Sequence, residues 1–249
     1  MQLRDRTILV TGGARGIGLA LTRRFLAEGA KVVAAGRDGD RLARLEAMHP
    51  RRITAWPVDL SIPAETDALI RDLPRRHPEL SMVVNNAGAQ TLTDFLADDV
   101  EALRPTLRRE ISLNLDAVIA ISTGLLDHLR RQPSAAIVNV TSGLALAPKT
   151  SSPVYCATKA AVRSFTKALR YQCEDGAPNV QVIEAIMALV DTDMTAGRGA
   201  GKITPDEAAV EVVAAIKAGR NEVYVDRAKL LPILMRVAPG VGERMMRRG

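Results

Sequence analysis

The sequence predicts an α/β protein: a doubly wound, mostly parallel sheet of seven strands with helices on both faces, plus a short amphipathic helical tail at the C-terminus. Three observations predict it. Strand-like and helix-like stretches alternate along the chain. Several strand-like runs are apolar throughout, as strands covered on both faces are. The first of them runs into Thr11-Gly12-Gly13-Ala14-Arg15-Gly16-Ile17-Gly18, a glycine turn that opens a helix.

In order, the strands are expected at Thr7–Thr11, Lys31–Ala35, Ile53–Pro57, Met82–Asn85, Ala136–Thr141, Val180–Ile186 and Glu222–Val225. The helices are expected at Ile17–Glu28, Asp38–Ala47, Pro63–Arg76, Val100–Arg131, Ser152–Asp175 and Pro205–Ala218. Two helix starts carry their own signals. Ser61 precedes Pro63 and Glu65, and Thr204 precedes Pro205, Asp206 and Glu207, each a cap followed by proline and acid in the first turn. No glycine- or proline-rich linker divides residues 1–227, which read as one Rossmann-type unit. Residues 228–249 read as an amphipathic extension of it. There Leu230, Leu231, Ile233, Leu234, Val237, Val241, Met245 and Met246 are interleaved with Lys229, Arg236, Arg244, Arg247 and Arg248, and Pro239-Gly240 splits the tail into two short helices. Such a tail packs on its own domain, on a partner subunit, or against a membrane interface.

With aromatics at 3%, the core must be built from Leu, Val, Ile and Ala. The net charge of +6 is dispersed, and without a basic stripe or interleaved aromatics it excludes a nucleic-acid partner. No apolar run approaches the ~18 residues of a membrane span. Met1–Arg6 leads at once into the first strand, which leaves no room for a signal peptide, so a cytoplasmic location is expected. Cys156 and Cys173 fall on one expected helix, roughly 25 Å apart at ~1.5 Å per residue, so free thiols are expected. Neither has metal-ligand company, and no metal site is expected.

In a doubly wound fold the ligand lies at the C-terminal ends of the strands. Gly12, Gly16 and Gly18 let the chain turn sharply and let a ligand approach its backbone, and the helix that follows aims its N–H groups and dipole at an anion such as a pyrophosphate. The second strand ends Ala35-Gly36-Arg37, with no carboxylate for a ribose 2′-hydroxyl. Arg37 and Arg15 can grip a 2′-phosphate, so NADP(H) is favoured over NAD(H); the plainer alternative leaves Arg37 finishing its strand and Arg15 facing water. Asp59, in Val58-Asp59-Leu60, either accepts from an adenine amino group or caps a helix. Asn85-Asn86-Ala87-Gly88 is small and polar, as a ligand wall should be. The fifth strand ends at Ser142, and thirteen positions later comes Tyr155-Cys156-Ala157-Thr158-Lys159. Residues i and i+4 share a helix face, so Lys159 stands beside Tyr155. An ammonium there lowers a phenol's pKa and makes it a general acid or base, with Ser142 holding a substrate oxygen against it.

Thr11-Gly12-x-x-x-Gly16-x-Gly18, Asn86-Ala87-Gly88, Asn114, Ser142 and Tyr155-x-x-x-Lys159 together resemble the motifs of the short-chain dehydrogenase/reductase family, over Leu3 to about Val225. Within that family the chain is most similar to the DltE-like bacterial oxidoreductases. The resemblance implies an oxidoreductase that passes a hydride between NADP(H) and a carbonyl/alcohol substrate. It implies that Tyr155 transfers the proton, that Lys159 lowers its pKa and binds the nicotinamide ribose, that Ser142 polarises the substrate oxygen, and that Asn114 holds a relay water. Gly12, Arg15, Gly16, Ile17, Gly18, Arg37, Asp59, Leu60, Asn86, Ala87, Gly88, Val190 and Thr192 would contact the cofactor, the last two at its carboxamide. Leu144 and Met187 would join Ser142 and Tyr155 around the substrate. The family often assembles through the helices carrying Asn114 and Tyr155, so a homodimer or homotetramer is expected. Two features depart from the pattern: Met187-Ala188 stands where many relatives have Pro-Gly, and Glu184 stands in an apolar strand where a structural hydrogen-bond role is expected. The alternative is a non-catalytic dinucleotide-binding regulator on the same fold.

Overall fold

A computed structural model describes residues 1–247; Arg248, read as part of the tail, lies outside the described residues. Seven strands form one sheet: β1 (Thr7–Thr11), β2 (Lys31–Gly36), β3 (Ile53–Pro57), β4 (Leu80–Asn85), β5 (Ala135–Ser142), β6 (Val180–Met187) and β7 (Glu222–Tyr224). Their order is β3-β2-β1-β4-β5-β6-β7, and every pairing is parallel. The reversal between β1 and β4 is the switch point at which such sheets open a ligand crevice.

Helices cover both faces. Side chains alternate across each strand. Ile8 and Val10 of β1 point to the side where α1 (Gly16–Ala27), α2 (Gly39–Met48) and α8 (Pro205–Lys217) contribute Leu21, Phe25, Leu42, Val212 and Ile216. Leu9 points to the other side, with Leu69 and Leu73 of α3 (Pro63–Arg76), Ile121 of α5 (Ala117–Gly124) and Leu169 of α7 (Pro153–Gly176). Two buried layers explain why apolar side chains predominate on both faces of the central strands.

The helix expected over Val100–Arg131 is broken. It runs as α4 (Val100–Ile111), a π-helical turn at Ser112–Asp116, α5, and α6 (Leu126–Leu129). A π turn accommodates one extra residue and re-aims the side chains on it. Here it carries Asn114, which is fully buried. Thr204 forms the expected capping box with Glu207: its hydroxyl accepts from Glu207 N, and Glu207 Oε2 accepts from Thr204 N. Ser61 does not cap α3. Its hydroxyl donates to Asp59 Oδ1, and Ile62 takes the cap position without a side-chain bond. Glu184 is held within the sheet, accepting from the Thr141 hydroxyl at 2.6 Å and pairing with Arg163 at 2.6 Å. Both cysteines are free and buried. The tail forms α9 (Leu231–Val237) and α10 (Pro239–Arg247). No helix among the described residues is long and apolar enough to cross a membrane.

Candidate active site

The glycine turn brings β1 and the start of α1 into contact. Gly12 and Gly16 have φ of +68° and +50°, a left-handed backbone that side chains disfavour. A Cβ on Gly18 would overlap the Gly12 carbonyl oxygen and lie 2.7 Å from Asn86 Nδ2. Arg15 occupies the N-cap of α1 without a side-chain cap bond, so the N–H groups of the first turn are left for a ligand. Thr11 ties the two central strand ends together. Its hydroxyl accepts from Asn86 N and Ala87 N, both at 2.9 Å, and its carbonyl accepts from Asn86 Nδ2 at 2.9 Å.

Between these ends lies a cleft of about 670 Å³, within the ~300–1,000 Å³ range of ligand pockets. Gly12, Arg15, Gly16, Ile17, Arg37, Leu60, Asn86, Ala87, Gly88 and Thr192 line it, as expected of cofactor-binding residues. Gly18 stands just behind, as the contact that lets α1 approach. Arg41 also lines the cleft and was missed by the sequence reading; its position one turn into α2 was the available signal. Asp38, beside it, accepts from Arg41 N and pairs with Arg41 Nε at 3.1 Å, so its carboxylate is engaged as the α2 cap. The glycine cradle, the open helix start and the exposed Arg15, Arg37 and Arg41 together fit a dinucleotide with an anionic ribose end.

Two expected cofactor residues are placed otherwise. Asp59 does not line the cleft: its carboxylate accepts from Ser61 N and Oγ and pairs with Arg109. Burial pushes this carboxyl up, but the Ser61 hydrogen bonds and the charges of Arg109 and Arg37 outweigh it and hold it below the ordinary range. Val190 is buried behind the cleft, its carbonyl accepting from the Thr195 hydroxyl at 2.6 Å.

The reactive side chains gather past the Gly88 end of the cleft. Ser142 is the last residue of β5, and its hydroxyl accepts from Leu144 N at 3.2 Å. Tyr155 sits in the first turn of α7, one turn before Lys159, whose Nζ is 5.8 Å from the phenol ring centroid and donates to Val140 O at 2.9 Å. Asn114 brackets Ala89: its Oδ1 accepts from Ala89 N at 2.9 Å and its Nδ2 donates to Ala89 O at 2.8 Å. A Cβ at Gly88 would lie 3.2 Å from Asn114 Oδ1 and 3.8 Å from Lys159 Nζ, so only a bare backbone separates the cleft wall from the amine.

The electrostatics correct one expectation. Tyr155 is not made more acidic by Lys159. Burial pushes its pKa up to about 12; the Ser142 hydrogen bond and Arg198 pull it down, while Cys156 and Glu110 push it further up. Burial likewise lowers Lys159 to about 8, opposed by the charge of Glu110. Glu110 was not anticipated. It is buried on α4, its Oε2 accepts from Thr91 N at 2.8 Å, and its Oε1 has no partner. Arg198, in the glycine-rich stretch after Met194, reaches across to Gln90 Oε1 at 2.6 Å. Of the expected substrate contacts, Leu144 faces a second hollow of about 490 Å³ beside Lys149 and Cys156, and Met187 is buried in register with Ser142. Neither lines the main cleft, because the turn after Ser142 carries Leu144 outward and β6 keeps Met187 in the core. No cluster of metal ligands occurs among the described residues.

Comparison with known proteins gives a consistent picture. The profile of the short chain dehydrogenase family matches residues 6–202. An uncharacterised oxidoreductase, DltE of Bacillus subtilis (strain 168), is 41% identical over 194 residues, which cover 78% of this chain and 75% of that protein. Among solved structures, a short chain dehydrogenase from Burkholderia cenocepacia J2315 in complex with NADP superposes with a TM-score of 0.85 at 26% identity, covering 99% of each chain. One from Burkholderia phymatum in complex with NAD gives 0.84 at 20% identity, covering 100% of this chain and 98% of that one, a likeness of fold. The glycine turn on α1 and the serine, tyrosine and lysine beyond the wall it faces thus stand in a chain that belongs to the short-chain dehydrogenase/reductase family of oxidoreductases.

Proposed function

We propose that the protein is an NADP(H)-dependent reductase of ketones or aldehydes, with Tyr155 as the proton donor. The observation that carries this reading is the convergence of Ser142, Tyr155, Lys159 and Asn114 just beyond Gly88, at the end of a cleft whose other end is rimmed by Arg15, Arg37 and Arg41. NADP rather than NAD is supported by those guanidiniums and by Asp38, the carboxylate beside them on the cleft, being engaged as the α2 cap. It is supported further by the NADP bound to the B. cenocepacia relative.

The glycine turn and the α1 N-terminus would hold the pyrophosphate, and Arg15, Arg37 and Arg41 would meet the 2′-phosphate. NADPH supplies the hydride when it is bound. Ser142 donates a hydrogen bond to the substrate oxygen and orients it toward Tyr155. The Tyr155 hydroxyl gives its proton to that oxygen as the carbonyl becomes an alcohol. With burial holding the phenol at about 12, it is protonated at neutral pH, the form a reductase needs. Lys159, one turn away, returns a proton toward Tyr155, and Asn114, fixed on the π turn, positions a water that links Lys159 to solvent. General acid catalysis of this kind contributes about 10²–10⁴-fold.

The test is NADPH oxidation across a panel of ketones, aldehydes and quinones, with wild type and Tyr155→Phe compared. Turnover by wild type and a loss of about a hundredfold or more in the variant are expected. Equal rates in the two proteins would remove the proposed acid. NADPH binding without turnover on any substrate would favour a regulator.

A further inference from the structure

The C-terminal hairpin has two opposed apolar faces. Its inner face closes on the strand end that carries Ser142. A Cβ on Gly143 would lie 2.6 Å from Leu231 Cδ1 of α9 and 3.8 Å from Met246 Cε of α10. Thr150 donates from both its N and its hydroxyl to the Arg247 carbonyl, each at 3.1 Å. The hairpin is therefore seated beside the reactive end of the site.

Its outer face has no counterpart in the chain. Leu230, Ile233 and Val237, spaced three and four apart, are 65%, 65% and 78% exposed, and Val241 and Met245 on α10 are more than half exposed. The rim continues across the mouth of the site. Thr93 N donates to Ser151 O, next to Thr150, and three residues past Thr93 the side chain of Leu96 is 99% exposed. Contiguous exposed apolar surface of this kind marks an interaction site. Arg236, Arg244 and Arg247 accompany the stripe, while Lys229 pairs with Glu211 at 2.7 Å; Glu243 is the only acid between positions 229 and 247.

We propose that this hairpin docks the protein on the surface of an anionic lipid bilayer. The apolar stripe enters the boundary between headgroups and acyl chains, and the cations meet lipid phosphates, their aliphatic stems lying along the same boundary. Charge selects this occupant over a second copy of the chain. A twofold contact would set the stripe against itself and face these three arginines with the same three, with Glu243 the only acid along each stripe. One consequence rests on the reductase reading: a carbonyl compound dissolved in the bilayer would reach Ser142 from the membrane side. The docking itself does not depend on it.

The experiment is co-sedimentation of the full chain with vesicles of phosphatidylcholine alone and of phosphatidylcholine with phosphatidylglycerol. Binding to the anionic vesicles, weakened by salt, is expected. Each cation near such a surface contributes about fivefold in affinity, so Arg236→Ala/Arg244→Ala should bind roughly 25-fold more weakly. Ile233→Asp/Val241→Asp should remain in the supernatant, with NADPH affinity and thermal midpoint of both variants reporting that the fold is intact. The idea is overturned if wild type does not pellet with anionic vesicles, if it pellets equally with neutral ones, or if the arginine pair can be removed without loss. It is also overturned if analytical ultracentrifugation shows that the aspartate pair breaks an oligomer, since a second copy would then cover the face.

Discussion

Replacing Gly18 by alanine tests the contact on which the nucleotide site is built. The added Cβ would overlap the Gly12 carbonyl oxygen and lie 2.7 Å from both the Gly12 carbonyl carbon and Asn86 Nδ2. Two of these are backbone atoms of the turn, so no rotamer change relieves them. Overpacking of a tight site costs about 1–3 kcal/mol, and contact with backbone puts this case at the upper end. Displacing Asn86 also weakens its bond to Thr11 O, worth about 1 kcal/mol. The expected loss is therefore about 4 kcal/mol, read as a lowered midpoint of urea unfolding. Gly36→Ala is the control. It lies on the same cleft, yet nothing stands within 4 Å of its Cβ position, so its midpoint should move by less than about 0.5 kcal/mol. If the two variants unfold at the same urea concentration, α1 does not approach β1 as described, and the cradle argument fails with it.

Arg37→Ala and Arg41→Ala should each weaken NADPH by about tenfold while leaving NADH within about twofold, since a charge-assisted bond to phosphate contributes about 1.5–3 kcal/mol and these arms are exposed; titration by intrinsic cofactor fluorescence measures both. The cofactor-free protein should become more stable between pH 8 and 10. Lys159 is lowered from 10.5 to about 8, so below pH 8 the folded state carries a desolvated ammonium that the unfolded state does not, and that cost, about 3 kcal/mol at 1.36 kcal/mol per pH unit, is relieved as the proton leaves. Above pH 10 the trend should reverse, because Tyr155 stays protonated to about 12 while the unfolded phenol ionises. Chemical unfolding across this range should show the rise in wild type and not in Lys159→Met. Glu110→Gln should lower the Lys159 pKa further, because the Glu110 charge is what opposes burial there; NMR titration of a lysine-labelled sample reads it, and no change would mean the two groups do not sense each other.

What could be read from the chain was what depends on local geometry. The glycine turn follows from which backbone conformations a side chain forbids, and Lys159 beside Tyr155 from the pitch of a helix. Apolar strands announced a sheet covered on both faces. The misses are tertiary. Asp59 could face an adenine or cap a helix, and Arg109, fifty positions later, joins Ser61 in holding it away from the cleft. Arg41 matters because its face of α2 meets the cleft, and Glu110 because its face of α4 is buried near Lys159, and both are settled by packing. The π turn at Ser112–Asp116 has no local signature, because an extra residue in a helix is accommodated by what Asn114 finds at Ala89. Leu144 was expected inward because it follows Ser142, but a tight turn separates the two.

The same distinction explains why the phenol is less acidic than its spacing from an amine suggests. Proximity of Lys159 is a sequence property; the dielectric around the pair is not. Both groups are desolvated, which penalises the phenolate and the ammonium alike, so Tyr155 rises to about 12 and Lys159 falls to about 8. The neutral phenol is thereby the resting form over the whole physiological range. A group used as a base to take a proton from an alcohol would need the opposite displacement, toward neutrality. Donation is the role the proposed function gives it, and Lys159, lowered to about 8 against the charge of Glu110, is the titratable group one turn away. In the proposed reductase, burial therefore keeps Tyr155 in its proton-carrying form, as a donor to a carbonyl oxygen must be.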